Sequence, residues 1–451
     1  MRTMTYREAL RYLGSFYDYE RDIFRDKTFL NLDRMNRLVR ASGDPHMGSP
    51  SIHIAGTKGK GSVACFLSNV LREAGYKVGL YTSPHLARIT ERLSVNNKEI
   101  GKKEFALLTN RARSVVEGLP NPIKPSFFEL FTLMCFMHFA SKKVDLAVFE
   151  TGMGGRFDAT NVLRPLVSVI TSISLDHMEE LGSKITDIAR EKREIIKKGS
   201  ICVSAPQEPE VLSLIREKCK SENVKLFAVG TDIIFRGLSC NDKREVLDVE
   251  TKTGKFRKLR TQVLGRHQLE NAAVVIGTVE ALKEKGYQIS HRAVYAGIKK
   301  TRLRGRCEVI NKNPLVVLDS AHNKESADAL KKTISRNFNV KKIILVLAIM
   351  KDKDIKGITG TLAEIADRVI ITKADTPRSA DPGMIRRFVK NRNVIVADNV
   401  SKAYNISKEL AGKDDMIVIT GSFYLAGEFL KGPGSRCSDD KGPGPGCSDD
   451  R

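Results

Sequence analysis

A chain of 451 residues is too long for a single hydrophobic core, so two or three domains are expected. Its apolar and charged fractions, 41% and 29%, are those of an ordinary globular protein, and no run of eighteen apolar residues is present to span a membrane. The formal charge of +23 raises nucleic acid as a partner, yet the cations are spread along the chain without a recognisable nucleic-acid module, which favours a small polyanionic substrate or a solvated basic surface.

Met1 to Arg11 carries arginines but no apolar segment, and Glu8, Asp18, Glu20 and Asp22 come too early for a mitochondrial presequence. A cytoplasmic protein is expected. Two amphipathic helices are predicted next, Tyr6 to Tyr17 and Phe29 to Val39, ending at Gly43-Asp44-Pro45.

The central stretch is Ser51 to Ser62. An apolar run leads into Gly56-Thr57-Lys58-Gly59-Lys60-Gly61-Ser62, after which Val63, Phe66, Leu67, Val70 and Leu71 mark one face of a helix. Gly75 stands where that helix should end, and Val78 to Tyr81 reads as the next strand. Strand, glycine loop and helix in this order make a phosphate loop: the glycines let the amides curl inward, and the helix N-terminus adds partial positive charge. Lys60 would lie along the phosphates, and Ser62 could reach Mg²⁺. The strict P-loop pattern is not met, since Ile54 stands at the position of its first glycine and Gly61 where Ser or Thr follows the lysine.

Pro84 stops the next strand and leaves Ser83 and His85 at its carboxyl end, where α/β sheets bind ligands. Phe127 to Ala140 is a nearly wholly apolar buried helix with Glu129 in its first turn. Val144 to Phe149 is a buried strand that ends at Glu150 beside the glycine loop 151–155, a placement suited to holding Mg²⁺ near phosphate. Leu166 to Ile173 likewise ends near Asp176-His177, and Thr186 to Lys198 is a helix on which Lys192 is an unremarkable cation by sequence alone. A strand at Ile201 to Ala205, a helix at Glu208 to Ser221 and a β-ribbon around Val246 to Lys258 follow. Asn271 is expected in the first turn of a helix running Ala272 to Leu282, as a cap or a contact to a base.

Beyond residue 300, strands at Leu315 to Leu318, Ile343 to Ala348, Val369 to Thr372, Val394 to Ala397 and Met416 to Thr420 alternate with helices, a second α/β domain. The tail repeats KGPGSRCSDD and KGPGPGCSDD, a composition that cannot bury a core and is expected to be disordered. The eight cysteines show no metal-type spacing, and neither a disulfide framework nor a zinc site is expected. The fold class is therefore α/β: a P-loop-type ATPase domain with a mostly parallel sheet over 1–298, a smaller Rossmann-like domain over 299–430, and the tail over 431–451.

Nine motifs in order carry a resemblance: GTKGKGS (56–62), TSPHL (82–86), ETGMGGRFDATN (150–161), SLDHMEELG (174–182), AREK (189–192), HQLENA (267–272), RGRCE (304–308), DSAHN (319–323) and GSFY (421–424). Over residues 5–430 the chain resembles the folate branch of the Mur ligase superfamily, dihydrofolate synthase and folylpolyglutamate synthase. The resemblance implies that ATP phosphorylates a folate-type carboxylate to an acyl phosphate, which the amino group of L-glutamate then attacks.

By resemblance, Gly56, Thr57, Gly59, Lys60, Gly61 and Ser62 bind ATP together with Asn271, Arg306 and Asp319. Ser83 and Glu150 would hold one Mg²⁺ and His177 a second, and Lys192 matches a carbamylated lysine. The catalytic set is then Lys60, His177 and Lys192. Phe128, Phe157, Asp158 and Ala159 match the pterin side, and His322 the substrate side of the second domain. The implied partners are small molecules (ATP, folate or pteroate, L-glutamate), with no nucleic acid or membrane, acting on a monomer. A positive cleft would concentrate these anions, which gives the basic charge a reading.

Two departures from the family pattern stand out. Lys58 replaces the common Asn, putting a cation beside the phosphates or pointing it to solvent. Ser320 replaces the glycine of DGAHN, which is tolerable where the turn does not need positive φ. Two competing readings are a Mur-type amide ligase for a different acid, and a P-loop NTPase acting on nucleic acid; the second requires the strict motif that is absent.

Overall fold

The computed structural model describes residues 3–18, 31–176, 178–389 and 393–432. The predicted helix start at Phe29, the residue His177 and the tail beyond Gly432 lie outside the described residues. The chain divides into two compact units, Met1–Leu303 and Arg304–Arg451.

The first unit is built on an eight-stranded sheet. Its strands are β1 (Ser51–Ala55), β2 (Val78–Tyr81), β3 (Leu93–Val95), β4 (Lys98–Glu99), β5 (Leu146–Glu150), β6 (Val167–Ile170), β7 (Ile201–Ser204) and β8 (Lys225–Ala228). The order is β4-β3-β2-β5-β1-β6-β7-β8. β1 lies between β5 and β6, parallel to both, while β3 and β4 add an antiparallel edge. All five residues of β1 are buried, as a parallel strand covered on both faces requires.

Period-two alternation sorts the side chains between two cores. Ile52, Ile54, Leu146 and Val148 join Val63, Phe66, Leu67, Val70 and Leu71 of the helix Lys60–Glu73. Ala147 and Phe149 face the other way, onto Phe131, Phe136 and Phe139 of the helix Phe127–Lys142. Phe139 lies so close to β2 that a Cβ at Gly79 would meet its ring at 2.8 Å, and only glycine fits there. The helix His291–Lys300 crosses Lys60–Glu73 equally closely: a Cβ at Gly297 would sit 2.5 Å from the Val70 Cα.

The expected ribbon is two strands of a separate three-stranded antiparallel sheet: β9 (Ile234–Asn241), β10 (Arg244–Glu250) and β11 (Lys255–Thr261), in the order β11-β10-β9. Glu245, Leu247 and Val249 of β10 are buried while its even-numbered residues are not, the alternation of a half-buried sheet.

Several boundaries differ from the sequence expectation. The first helix stops at Gly14, capped at its start by Thr5 and Glu8 in a reciprocal box. The predicted 186–198 helix is α only over Ile185–Lys192 and tightens to a 3₁₀ turn at Arg193–Ile195. The late helix runs from Arg266 to Glu284 with Gly265 as its N-cap, so Asn271 lies in the second turn and is no cap.

The second unit holds β12 (Glu308–Lys312), β13 (Leu315–Leu318), β14 (Ile343–Leu347), β15 (Arg368–Ile371), β16 (Asn393–Val396) and β17 (Met416–Thr420). The order is β12-β13-β17-β14-β15-β16, parallel except for β12. The near-continuous apolar runs of β13, β14 and β17 are buried on both faces, the Rossmann-like arrangement that alternating strands and helices predict. Among the described residues no helix is long and apolar enough to cross a membrane. The six described cysteines are free thiols, four of them buried.

Candidate active site

The glycine loop leaves the carboxyl end of β1 and enters the helix Lys60–Glu73. Each glycine has a distinct cause. At Gly56 (φ +153) a Cβ would lie 1.8 Å from the Thr171 hydroxyl, so the loop is pressed against the end of β6. At Gly59 (φ +89), the helix N-cap, it would meet the Asn271 Oδ1 at 2.4 Å. At Gly61 it would come within 3.2 Å of the Glu150 carboxylate. That contact gives the broken P-loop pattern a reason: any side chain after the lysine would have to displace the Glu150 carboxylate by a few tenths of an ångström.

The loop amides divide into two groups. Those of Thr57 and Lys58 both donate to the Ser172 carbonyl, at 2.8 and 3.1 Å. The Thr57 hydroxyl donates to the Ser174 carbonyl and accepts the Ser174 N–H. Thr57 therefore fastens the loop to the segment after β6. The amides of Lys60, Gly61 and Ser62 open a helix with no side-chain cap, the arrangement that attracts an anion. Lys58 pairs with Asp176 in the segment after β6, its Nζ 3.1 Å from Oδ2.

Two lysines converge on one acceptor. Lys60 Nζ and Lys192 Nζ donate to the Gly56 carbonyl at 3.1 and 2.9 Å. Lys192 is only 4% exposed, and burial, followed by the charge of Lys60, lowers its pKa to about 7. Its backbone is held in place by the loop after Glu150. The Arg156 N–H donates to the Glu191 carbonyl at 2.9 Å, and a Cβ at Gly155 would come within 2.8 Å of the Lys192 Cα. Glu150 ends β5 beside this group, buried, with its Oε2 accepting the Ser83 N–H at 3.1 Å.

The structure thus brings Gly56, Gly59, Lys60, Gly61, Ser62, Ser83, Glu150, Lys192 and Asn271 around one loop. Asn271 Nδ2 donates to Gln268 Oε1, which leaves its carbonyl turned to Gly59.

The residues matched to the pterin side are arranged differently. Asp158 is buried, and its carboxylate accepts the N–H groups of Gly152, Met153 and Thr160 and the Thr160 hydroxyl. It shapes the 151–158 loop; burial pushes its pKa up against the pull of those donors. Thr160 also meets His53 Nε2 at 2.7 Å, and burial holds the His53 imidazole down at about 3. Phe128 is buried in the aromatic core, its ring 5.9 Å from that of Tyr81. Ala159 is buried at the start of a 3₁₀ turn, whereas Phe157 is exposed beneath the Arg156 guanidinium.

In the second unit, Arg306, Asp319 and His322 gather at the carboxyl end of β13. Asp319 is half-buried and accepts the N–H groups of Cys307 and Ala321 at 2.8 and 2.7 Å. Burial raises its pKa and Arg306 opposes the rise. The Arg306 guanidinium lies over the Phe423 ring at 5.0 Å, and His322 packs on the same ring at 5.2 Å. Phe423 stood in the GSFY motif without a role; its partners are far apart in sequence, and no local pattern signals them.

The Mur ligase middle domain matches residues 54–279, and the Mur ligase glutamate ligase domain matches 305–423. The chain is 35% identical over 404 residues to the dihydrofolate synthase/folylpolyglutamate synthase of Bacillus subtilis, covering 89% of this chain and 94% of that protein. It is 29% identical over 398 residues to the folylpolyglutamate synthase of Lacticaseibacillus casei, covering 87% and 92%. Among solved structures, Mycobacterium tuberculosis folylpolyglutamate synthase complexed with ADP matches with a TM-score of 0.87 at 30% identity, covering 96% of this chain and 98% of that one. Escherichia coli FolC in complex with DHPP and ADP matches at 0.85 and 27% identity, covering 96% and 99%.

Proposed function

Since the chain belongs to the dihydrofolate synthase/folylpolyglutamate synthase family of the Mur ligases, we propose that one active site adds the first glutamate to dihydropteroate and further glutamates to reduced folates. The protein is an ATP-dependent ligase that joins L-glutamate to folates. Support for the dual activity comes from the Bacillus subtilis relative, which is 35% identical and named for both reactions.

The observation that carries the mechanism is the convergence of Lys60 and Lys192 on the Gly56 carbonyl, beside Glu150. A folate carboxylate oxygen attacks the γ-phosphorus of ATP, the bond to the β-phosphate oxygen breaks, and ADP leaves. The glutamate amine then attacks the acyl carbon, phosphate departs, and the amine gives up a proton. Lys60 and the first-turn amides of the helix Lys60–Glu73 stabilise charge on the transferring phosphoryl group. Thr57 holds the loop in register. Asn271, Arg306 and Asp319 serve ATP, and His322 serves the second unit's substrate side.

The donors at Glu150 and Ser83 are oxygens, and the Glu150 carboxylate is buried at a strand end, a set that suits Mg²⁺. These two would hold one ion and His177 a second; bound there, Mg²⁺ neutralises phosphate charge. Lys192 is suited to carbamylation, since burial beside Lys60 favours the neutral amine that CO₂ requires. The carbamate would turn a repelling cation into an anion opposite Lys60. Phe157 would offer the pterin an exposed ring, and Phe128, Asp158 and Ala159 would belong to the same side. The first unit would form the ATP-binding part and the second the ligase part of a cytoplasmic monomer that acts on small molecules rather than nucleic acid.

The test is glutamate-dependent ADP release with ATP and Mg²⁺, using dihydropteroate or tetrahydrofolate as acceptor. Turnover with both is expected. Turnover with one alone would overturn the dual reading, and turnover with neither would point to another acid on the same scaffold.

A further inference from the structure

We propose that Ser320 is a positioning residue for the nucleotide: its hydroxyl fixes the Arg306 guanidinium in the orientation that ATP binding uses. This rests on the reading of Arg306 as an ATP contact.

The backbone carrying Arg306 is already rigid. It lies between two left-handed residues, Gly305 (φ +63) and Cys307 (φ +45). The Gly305 N–H donates to Glu308 at 2.8 Å, and the Cys307 N–H to Asp319 at 2.8 Å. What remains loose is the long Arg306 side chain, whose rotamer freedom opposes any contact it makes. Ser320 removes that freedom. Its hydroxyl donates to the Gly305 carbonyl at 2.9 Å, and its own N–H donates to the same carbonyl at 2.9 Å. With the hydroxyl proton committed, the oxygen lone pairs are left for Arg306 Nη1, which donates at 3.0 Å. The Phe423 ring supports the guanidinium separately.

Ser320 is fully buried, so water does not compete for this oxygen, and it is not among the left-handed residues, so a side chain there brings no strain. A glycine, as in the DGAHN pattern, has no atom to make either side-chain bond. The serine is therefore more than a tolerated change.

The experiment is a double-mutant cycle on the full chain, with S320A, R306A and the double variant, read as ADP affinity in the presence of Mg²⁺ and as KM for ATP against kcat. S320G is a second probe, since glycine belongs to the pattern and should fold. S320A is expected to weaken ADP binding and raise the KM for ATP about five- to tenfold, the scale of losing one ordinary hydrogen bond, with kcat changed less than about twofold. S320G should do the same. In the R306A background S320A should have almost no effect. Equal effects in both backgrounds would show a merely structural role and overturn the proposal, as would a silent S320A where R306A weakens ADP. A silent R306A would overturn the ATP reading of Arg306 itself and the proposal with it.

Discussion

Lys192→Ala is expected to lower kcat by about a thousandfold while ADP affinity changes only a few fold, because the loss falls on a group that acts as charge develops. Lys192 is buried with its Nζ on the carbonyl that Lys60 also uses, and two ammonium groups on one acceptor repel each other. As an unmodified cation Lys192 would work against Lys60; as a carbamate it would hold Lys60 and help to order the acceptor site. Lys192→Arg, which keeps the charge but cannot be carbamylated, should therefore fail as badly as alanine. If Lys192 were a plain phosphate-binding cation, arginine would instead retain most of the activity. The sign of the pH effect follows from the lowered pKa of about 7: raising pH through that value frees the amine, so carbamylation in a fixed CO₂ supply should increase. Labelled bicarbonate followed by NMR would read the modification directly, and activity should fall on CO₂ depletion.

Glu150→Gln is the second large effect. The substitution keeps shape and removes one negative charge at a place where the carboxylate meets Gly61 of the loop and the Ser83 N–H. Mg²⁺ affinity depends strongly on carboxylate charge, so the Mg²⁺ concentration for half-maximal activity should rise about tenfold or more and kcat should fall about a hundredfold. Titrating Mg²⁺ at saturating ATP checks this. An unchanged Mg²⁺ requirement would mean that Glu150 serves only to seat the Ser83 turn.

The parallel core was legible because its strands are continuous apolar runs closed by Gly, Pro or acidic residues, as at Ser51–Ala55, Leu146–Glu150 and Met416–Thr420. Helix starts were less visible. Arg266-His267-Gln268 are polar or charged, so the apolar period appears only from Ala272, and Asn271 looked like a first-turn residue. The break after Lys192 carries no Gly or Pro to announce it. In the site, the glycine loop and Glu150 could be placed from the pattern. The reason for Gly61 could not, since it lies in a carboxylate 89 positions away. Lys58 with Asp176, Thr57 with Ser174, and Ser320 with Arg306 are also long-range pairings that no local periodicity encodes. Composition and periodicity do not separate Lys192 from a surface lysine; the resemblance singles it out, and in the structure its burial beside Lys60 sets it apart.

The central claim, phosphorylation of the acceptor carboxylate at this site, is tested most directly with acceptor folate labelled with ¹⁸O in the reacting carboxyl group. One labelled oxygen should appear in inorganic phosphate for each glutamate added. Glutamate addition that releases only unlabelled phosphate would contradict the acyl phosphate route.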